Sequence, residues 1–185
     1  MKPAAAISTY LLLTLVLTLI PAVSLNGAVD MFIKIGDIKG ESLDQTHRDE
    51  IDVLAWSWGM SNDGTTHAGG GGGAGKVSMQ DLSMTKYLDK STPKLLESCA
   101  TGGHIPEAVL TVRKAGADPI EYLMIRMENV LVTSVSTGGS GGEDRLTENV
   151  TLNFSKVHVT YVPQDPTGGP EPPVEMSWDI VANTP

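Results

Sequence analysis

The chain has 185 residues and a formal charge of −9, and 41 % of its residues are hydrophobic. This length is enough for one domain with a substantial core. An acidic surface repels phosphate groups, so we expect no nucleic-acid partner and no binding of the mature domain to an anionic membrane. The single cysteine, Cys99, cannot form a disulfide within the chain, and we interpret it as a small apolar residue.

Residues 1–28 form a hydrophobic leader that precedes a single domain at 29–185. Lys2 is followed by an apolar run from Ala4 to Ile20 and then by Pro21 and small residues, as in a signal peptide. Three origins are open for this leader: a cleaved signal peptide, an uncleaved anchor, or a start codon assigned too far upstream. We expect a periplasmic protein only if the leader is a true signal peptide.

Alternating apolar residues predict a first strand in which Met31, Ile33 and Ile35 share one face. The polar stretch that follows, Glu41–Glu50, is predicted to be an exposed connection.

The second strand, Ile51–Met60, has its bulky residues at every other position. This alternation predicts that Leu54, Trp56 and Trp58 face the core together. Ser57 then lies on the opposite face with Val53, Ala55 and Gly59. This face is small and nearly featureless, and it would suit another surface or a water-filled space.

Seven consecutive residues, Gly69–Gly75, predict a loop, because glycine is costly to order and has no side chain to bury. With Lys76 the loop resembles a phosphate-binding motif. However, Val77 stands where that motif needs Ser or Thr, and a strand follows rather than a helix. We therefore predict no nucleotide cofactor.

A strand at Lys76–Leu88 changes its apolar phase near Gln80–Asp81, which predicts a bulge there. A short helix is expected to begin at Ser91-Thr92-Pro93, with Ser91 as its cap, and to end at Gly102. Helical spacing predicts that one face of this helix packs on the sheet; that face carries Leu95, Leu96 and Cys99.

The rest of the chain alternates in the same way and predicts further strands. These are Glu107–Lys114, Ile120–Glu128, Val130–Ser136 after a possible bulge at Asn129, a long strand from Leu146 to Val162 that changes phase at Ser155–Lys156, and Val174–Val181 with Trp178. Many short strands with one helix predict a mainly β fold, a small β-barrel or two-sheet sandwich with a short α-helix on its side.

Nothing in the sequence predicts a catalytic or metal site. The four histidines are scattered without ligand spacing, and no nucleophile-elbow pattern occurs. The charged group Glu143-Asp144-Arg145 is interpreted as an ion-pair cluster in a loop. We therefore expect no enzyme, no cofactor and no metal.

Several long motifs resemble the Hcp family, the haemolysin-coregulated proteins of bacterial type VI secretion. They are VDMFIKIGDIKGES, EIDVLAWSWGMS, HAGGGGGAGKV, QDLSMTKYLDKSTPKLLESC and STGGSGGEDRLTENVTLNFSKV, and the match covers roughly Val29–Val181. The resemblance implies a β-barrel that forms hexameric rings, rings that stack into a tube inside a contractile sheath behind a spike protein, and small effector proteins carried in the ring.

The resemblance also implies roles for individual residues. Ser57 would face the lumen and contact cargo. The glycine loop would lie against the next ring; its residues are Gly69, Gly70, Gly71, Gly72 and Gly73. Such proteins are assembled in the cytoplasm and leave through the secretion system without a cleaved signal peptide, so the leader departs from the pattern. The alternatives are a periplasmic or secreted binding module with the same fold, and a hydrolase or NTPase.

Overall fold

The computed structural model describes residues 29–62, 64, 76–114, 119–142 and 144–185. The described residues form ten strands and one helix: β1 (Val29–Ile35), β2 (Ile51–Ser57), β3 (Met60–Asn62), β4 (Val77–Met79), β5 (Leu82–Tyr87), α1 (Thr92–Thr101), β6 (Ile105–Lys114), β7 (Ile120–Thr137), β8 (Thr147–Asn153), β9 (Lys156–Tyr161) and β10 (Val174–Asp179). The leader and the glycine-rich residues 65–75, with the positions predicted on them, lie outside the described residues.

Six strands close into a barrel, because each is hydrogen-bonded to a neighbour on both sides. Their order is β7, β6, β1, β2, β5 and β8, and β8 pairs with β7 again. β9 and β10 extend the sheet from β7, while β3 and β4 form a separate two-stranded ribbon. The predicted mainly β barrel with one short helix is confirmed.

Alternating residues from all six barrel strands fill the interior, as the period of two in a strand requires. The buried set includes Ile33, Ile35, Ile51, Val53, Leu82, Met84, Leu110, Ile125, Met127, Val132, Val150 and Leu152. The helix adds Leu95, which is fully buried. The core is therefore continuous from the barrel to the helix on its side.

The predicted core face of β2 is partly wrong. A register shift between Val53 and Ala55 marks a β-bulge in the pairing of β2 with β5. Leu54 lies at this bulge and is 39 % exposed, whereas Val53, predicted for the opposite face, is buried. After the bulge the alternation resumes, so that Trp56 and Trp58 pack half-buried against the core. The extra residue in the bulge reverses which residues of β2 face the core, from odd-numbered positions before it to even-numbered positions after it.

Two other phase changes in the sequence have different structural causes. At Gln80–Asp81 the chain does not bulge within one strand but passes from the β3–β4 ribbon into the barrel. At Ser155 the predicted phase change is confirmed, but the single long strand predicted from Leu146 to Val162 is wrong, because the chain breaks there into β8 and β9. Asn129 has a φ of 55° within a continuous β7, where the strand stops pairing with β9 and begins to pair with β8.

The helix ends where the sequence predicts, since Gly102 has a φ of 64° and its N–H donates to the Ser98 carbonyl. Its start differs in detail, because the Ser91 hydroxyl donates to Asp89 instead of capping the helix. Leu96 is exposed, so the packed face of α1 is narrower than predicted.

The connection Glu41–Glu50 is not the exposed segment that the sequence predicts. It crosses the outer face of β1, β6 and β7, and we call it the strap. His47 stacks on Phe32 with ring centroids 4.4 Å apart, and its two ring nitrogens lie 2.9 Å from Glu50 Oε2 and 3.1 Å from Glu121 Oε1. The ends of the strap are joined by a hydrogen bond from the Gly40 N–H to the Asp49 carbonyl, at a point too close to Glu50 for a side chain at position 40.

Candidate functional site: an uncharged sheet face

Where β2, β5, β8 and β7 lie side by side, eight positions on their outward side carry small, uncharged side chains. Register across the four strands places Ser57, Ser83, Thr151 and Ser134 in one row. It places Ala55, Thr85, Asn149 and Ser136 in a second row. We call these eight residues the hydroxyl face. Adjacent strands are about 4.8 Å apart, so each row spans roughly 15 Å.

The side chains of the hydroxyl face bond to each other across the strands. The hydroxyls of Ser83 and Thr151 lie 3.2 Å apart, and Thr85 Oγ1 donates to Asn149 Oδ1 over 2.8 Å. None of the eight side chains ionises, so the face presents hydrogen-bonding groups without charge. A groove of about 430 Å³ borders the second row at Ser136 and Asn149.

Two β-bulges, seen as register shifts in β2 and β7, turn this face outward. One lies at Leu54 in β2, and the other, between Val132 and Ser134, shifts the phase of β7. The row between the two polar rows consists of Trp56, Met84, Val150 and Val135, which pack inward. Polar face and core are thus two sides of the same four strands.

A buried charged cluster lies beneath α1, next to this face in the same strands. Lys86 Nζ is 2.7 Å from Glu148 Oε1 and 2.9 Å from Asp89 Oδ1, and both Lys86 and Glu148 are fully buried. The Thr92 hydroxyl donates to the same Glu148 oxygen. An ammonium group withdrawn from water requires such partners, so this cluster fixes the start of the helix on the barrel.

The predicted site residues lie in different parts of the structure, and of the predicted core residues Trp56 and Trp58 pack against the core. Ser57 is exposed and lies on the hydroxyl face, opposite Trp56. Leu54 does not lie in the core, while the glycines at 69–73 are outside the described residues. Arg145 lies over the Tyr87 ring, with its guanidinium carbon 3.9 Å from the ring centroid, and it forms no ion pair with Asp144 in the described part of the chain.

Sequence reasoning placed only Ala55 and Ser57 of β2 on the face that becomes the hydroxyl face. The sequence does contain a signal for other members of this face, because Ser83 and Thr85 alternate with Leu82 and Met84, which are buried. The same pattern recurs where Asn149 and Thr151 alternate with Val150 and Leu152. The alternation identifies small polar residues on exposed faces, but only the register shows that they form rows.

Metal and membrane sites find no support within the ranges described above. No group of His, Cys, Asp or Glu in those ranges is arranged to hold a metal ion. In the same ranges no helix has the length and apolar character needed to cross a membrane.

Comparison with known proteins gives consistent matches over most of the chain. A family model described as "Type VI secretion system effector, Hcp" matches residues 32–161. The chain is 65 % identical to the hcp1 protein of Pseudomonas aeruginosa over 158 residues, which cover 84 % of this chain and 98 % of that protein.

Solved structures agree with these sequence matches. A crystal structure of Hcp1 from Salmonella typhimurium is 41 % identical, covers 85 % of this chain and 98 % of its own, and superposes with a TM-score of 0.70. A structure described as a type six secretion system protein is 31 % identical, covers 85 % and 99 % of the two chains, and has a TM-score of 0.80.

Proposed function

Because the chain belongs to the Hcp family of type VI secretion proteins, we propose that its hydroxyl face lines the lumen of the tube that such proteins build. Membership of the family makes the protein a structural component of the type VI secretion system, secreted by that system, and not an enzyme. The periplasmic alternative receives no support from the comparisons.

The observation that carries the proposal is the two neutral rows across β2, β5, β8 and β7. An exposed sheet face in an acidic protein would ordinarily carry charged side chains. Eight small uncharged residues in register instead make a surface that different cargoes can slide along, because it offers weak hydrogen bonds and no fixed charge to trap them.

The Hcp resemblance implies a ring of six copies, and the width of this sheet then gives the width of the lumen. Six copies of four strands, each about 4.8 Å wide, close a lumen roughly 37 Å across if the strands run along the tube, and a larger one if they tilt. A channel of this width admits a small folded protein, whose diameter is about 30 Å for roughly 100 residues. We therefore propose a homo-hexamer that stacks into tubes and carries small effector proteins.

The remaining partners are those that a tube needs. We propose that the stacked rings contact the contractile sheath on the outside and the spike protein at one end. The glycines at 69–73 are proposed to contact the next ring.

Electron microscopy of purified 29–185 tests the assembly. We expect six-fold rings with a central channel of about the estimated width. A protein that stays monomeric at high concentration would contradict the proposal.

Substitution of Ser57 tests the lumen assignment. Ser57→Gln places a longer side chain on the hydroxyl face, so we expect intact rings that retain a different set of small proteins. Retention on the wild-type face should change little at raised salt concentration, since no ion pair is involved. The matched control is Ser78→Gln, at an exposed position of β4. If both variants alter retention equally, Ser57 does not face the lumen.

A further inference from the structure

An open cleft of about 850 Å³ lies between α1, the end of β1 and the start of β6. Its apolar floor is formed by Ile35, Ile38, Ile105 and Pro106. Its polar lining is mainly basic, with Lys34, Lys39, Lys90, Lys94 and His104 beside Ser98 and the carboxylates of Asp37 and Glu107. We call this the lysine cleft.

The charges of the lysine cleft are only partly balanced by the protein itself. Lys90 pairs with Asp49, and Lys94 pairs with Glu97. Lys34 and Lys39 form no ion pair within the part of the chain that the structure describes, and the Glu107 carboxylate is held 2.6 Å from Arg126. A protein with 13 basic and 22 acidic side chains thus gathers four lysines in one concave place. Such a cleft favours an acidic occupant with some apolar surface.

The same chain carries a segment with that chemistry. Residues 170–175, of sequence PEPPVE, are exposed at all six positions, and Val174 is 64 % exposed. The turn before this segment is held by a bridge between Gln164 and Pro170 and by Asp165, whose carboxylate accepts the N–H groups of Thr167 and Gly169. Prolines keep a chain extended at little entropic cost, so this acidic segment is already ordered for binding.

The cleft and the acidic segment lie at opposite ends of one sheet. Val174 pairs with Tyr161, and the same row continues across β7 to Val112 of β6. The cleft lies at Ile105, seven residues away along β6, which is about 23 Å in an extended strand. Within one molecule the segment cannot reach the cleft.

We propose that the 170–175 segment of one copy docks in the lysine cleft of a second copy, and that this contact joins successive rings of the tube. A contact between opposite ends of identical molecules is heterologous and repeats head to tail, which is the symmetry that a stack requires. Glu171 and Glu175 then face Lys34 and Lys39, while Val174 and the prolines cover the apolar floor. The inference rests on the proposed tube and adds a stacking contact to it.

Reversing the charge on each side tests the contact. Lys34→Glu with Lys39→Glu makes the cleft acidic, and Glu171→Lys with Glu175→Lys makes the segment basic. Each double variant should form rings but stack poorly, with the protein concentration needed for tubes raised by roughly tenfold. Rings of the two variants mixed together should stack again, because each cleft then meets a segment of opposite charge.

The control and the contrary outcomes separate this inference from the tube itself. Arg48→Glu, at an exposed residue outside the cleft, matches the charge change of Lys39→Glu and should leave stacking unchanged. The inference is overturned if mixed rings stay unstacked, or if the variants lose the ring as well as the stack. In either case, tubes formed by the wild-type protein would still uphold the proposed function. A wild-type protein without rings overturns both. If a reversed variant melts early, Lys34→Gln with Lys39→Gln serves instead and should weaken stacking in the same direction.

Discussion

Arg113 on β6 is 8 % exposed, and its guanidinium is held by carboxylates from two other parts of the chain. It donates to Asp44 of the strap over 2.6 Å and to Asp30 of β1 over 3.0 Å, and it lies 5.0 Å from the centre of the Phe32 ring. The hydrogen bond from Arg113 holds the pKa of Asp44 well below its usual range, against the opposing effect of burial. Asp44 in turn raises the pKa of Arg113. The ion pair between Asp44 and Arg113 therefore attaches the strap to the barrel, in addition to the contacts of His47 with Phe32 and Glu121.

Replacing Asp44 by Asn should lower the free energy of unfolding by about 2–3 kcal/mol at pH 7, because a hydrogen-bonded charge is lost beside a buried cation. Because the pKa of Asp44 is lower in the folded state, its carboxylate stabilises the fold at pH values above the unfolded-state pKa, which is near 4. This contribution is lost as the pH falls toward the folded-state pKa. Urea unfolding over a pH series should show the two proteins converging in acid. The matched control, Asp52→Asn, changes an exposed residue of β2. A difference that does not vary with pH would contradict the role of Asp44.

At the scale of elements, β2 shows how one extra residue changes a face. The bulge between Val53 and Ala55 exposes Leu54 and leaves Trp56 against the core. The same bulge turns Ala55 and Ser57 toward the hydroxyl face. One irregularity therefore serves both the packing and the candidate site.

Two alanine substitutions in β2 measure this reversal. Trp56→Ala should cost about 3 kcal/mol of stability, because a large ring packed on the core is removed, while Leu54→Ala should cost less than about 1 kcal/mol. The measurement is the free energy of unfolding of each variant in denaturant, with Leu82→Ala as a fully buried reference. Equal costs for Leu54 and Trp56 would place Leu54 back in the core.

At the scale of the whole molecule, the barrel separates three surfaces that an assembly can use. The hydroxyl face covers β2, β5, β8 and β7, while the lysine cleft and the 170–175 segment occupy opposite ends of the sheet that contains β6 and β9. In the proposed tube, the neutral surface would face inward and the complementary charges would lie along the stack.

The glycine loop gives a prediction at the same scale. Gly71→Leu should leave the melting temperature and the rings unchanged but reduce tube formation, since a bulky side chain would hold the next ring away. Gly141→Leu is the control, because Gly141 lies in another glycine-containing loop, between β7 and β8, where a side chain would meet open space. Thermal melting and counts of rings and tubes by microscopy provide the test. Unfolding of Gly71→Leu, or equal loss of tubes in both variants, would contradict the role of this loop.

The sequence by itself determined most of the local structure and the family. Alternation with a period of two located the strands, and Pro93 and Gly102 marked the helix because their backbone requirements are intrinsic to the residue. Long motifs were enough for the Hcp resemblance. These signals are local, so they can be read from the sequence without knowledge of the fold.

Only the tertiary structure decided which residues meet. The bulge at Leu54, the burial of the strap residue His47 against Phe32 and the Lys86–Glu148 pair depend on partners from other strands, 62 residues away in the last case. The rows of the hydroxyl face join Ser57 to Thr151 and Ser134 by the same means. Alternation within one strand shows which residues share a face, but hydrogen bonds and packing between distant segments decide which residue of another strand lies beside them.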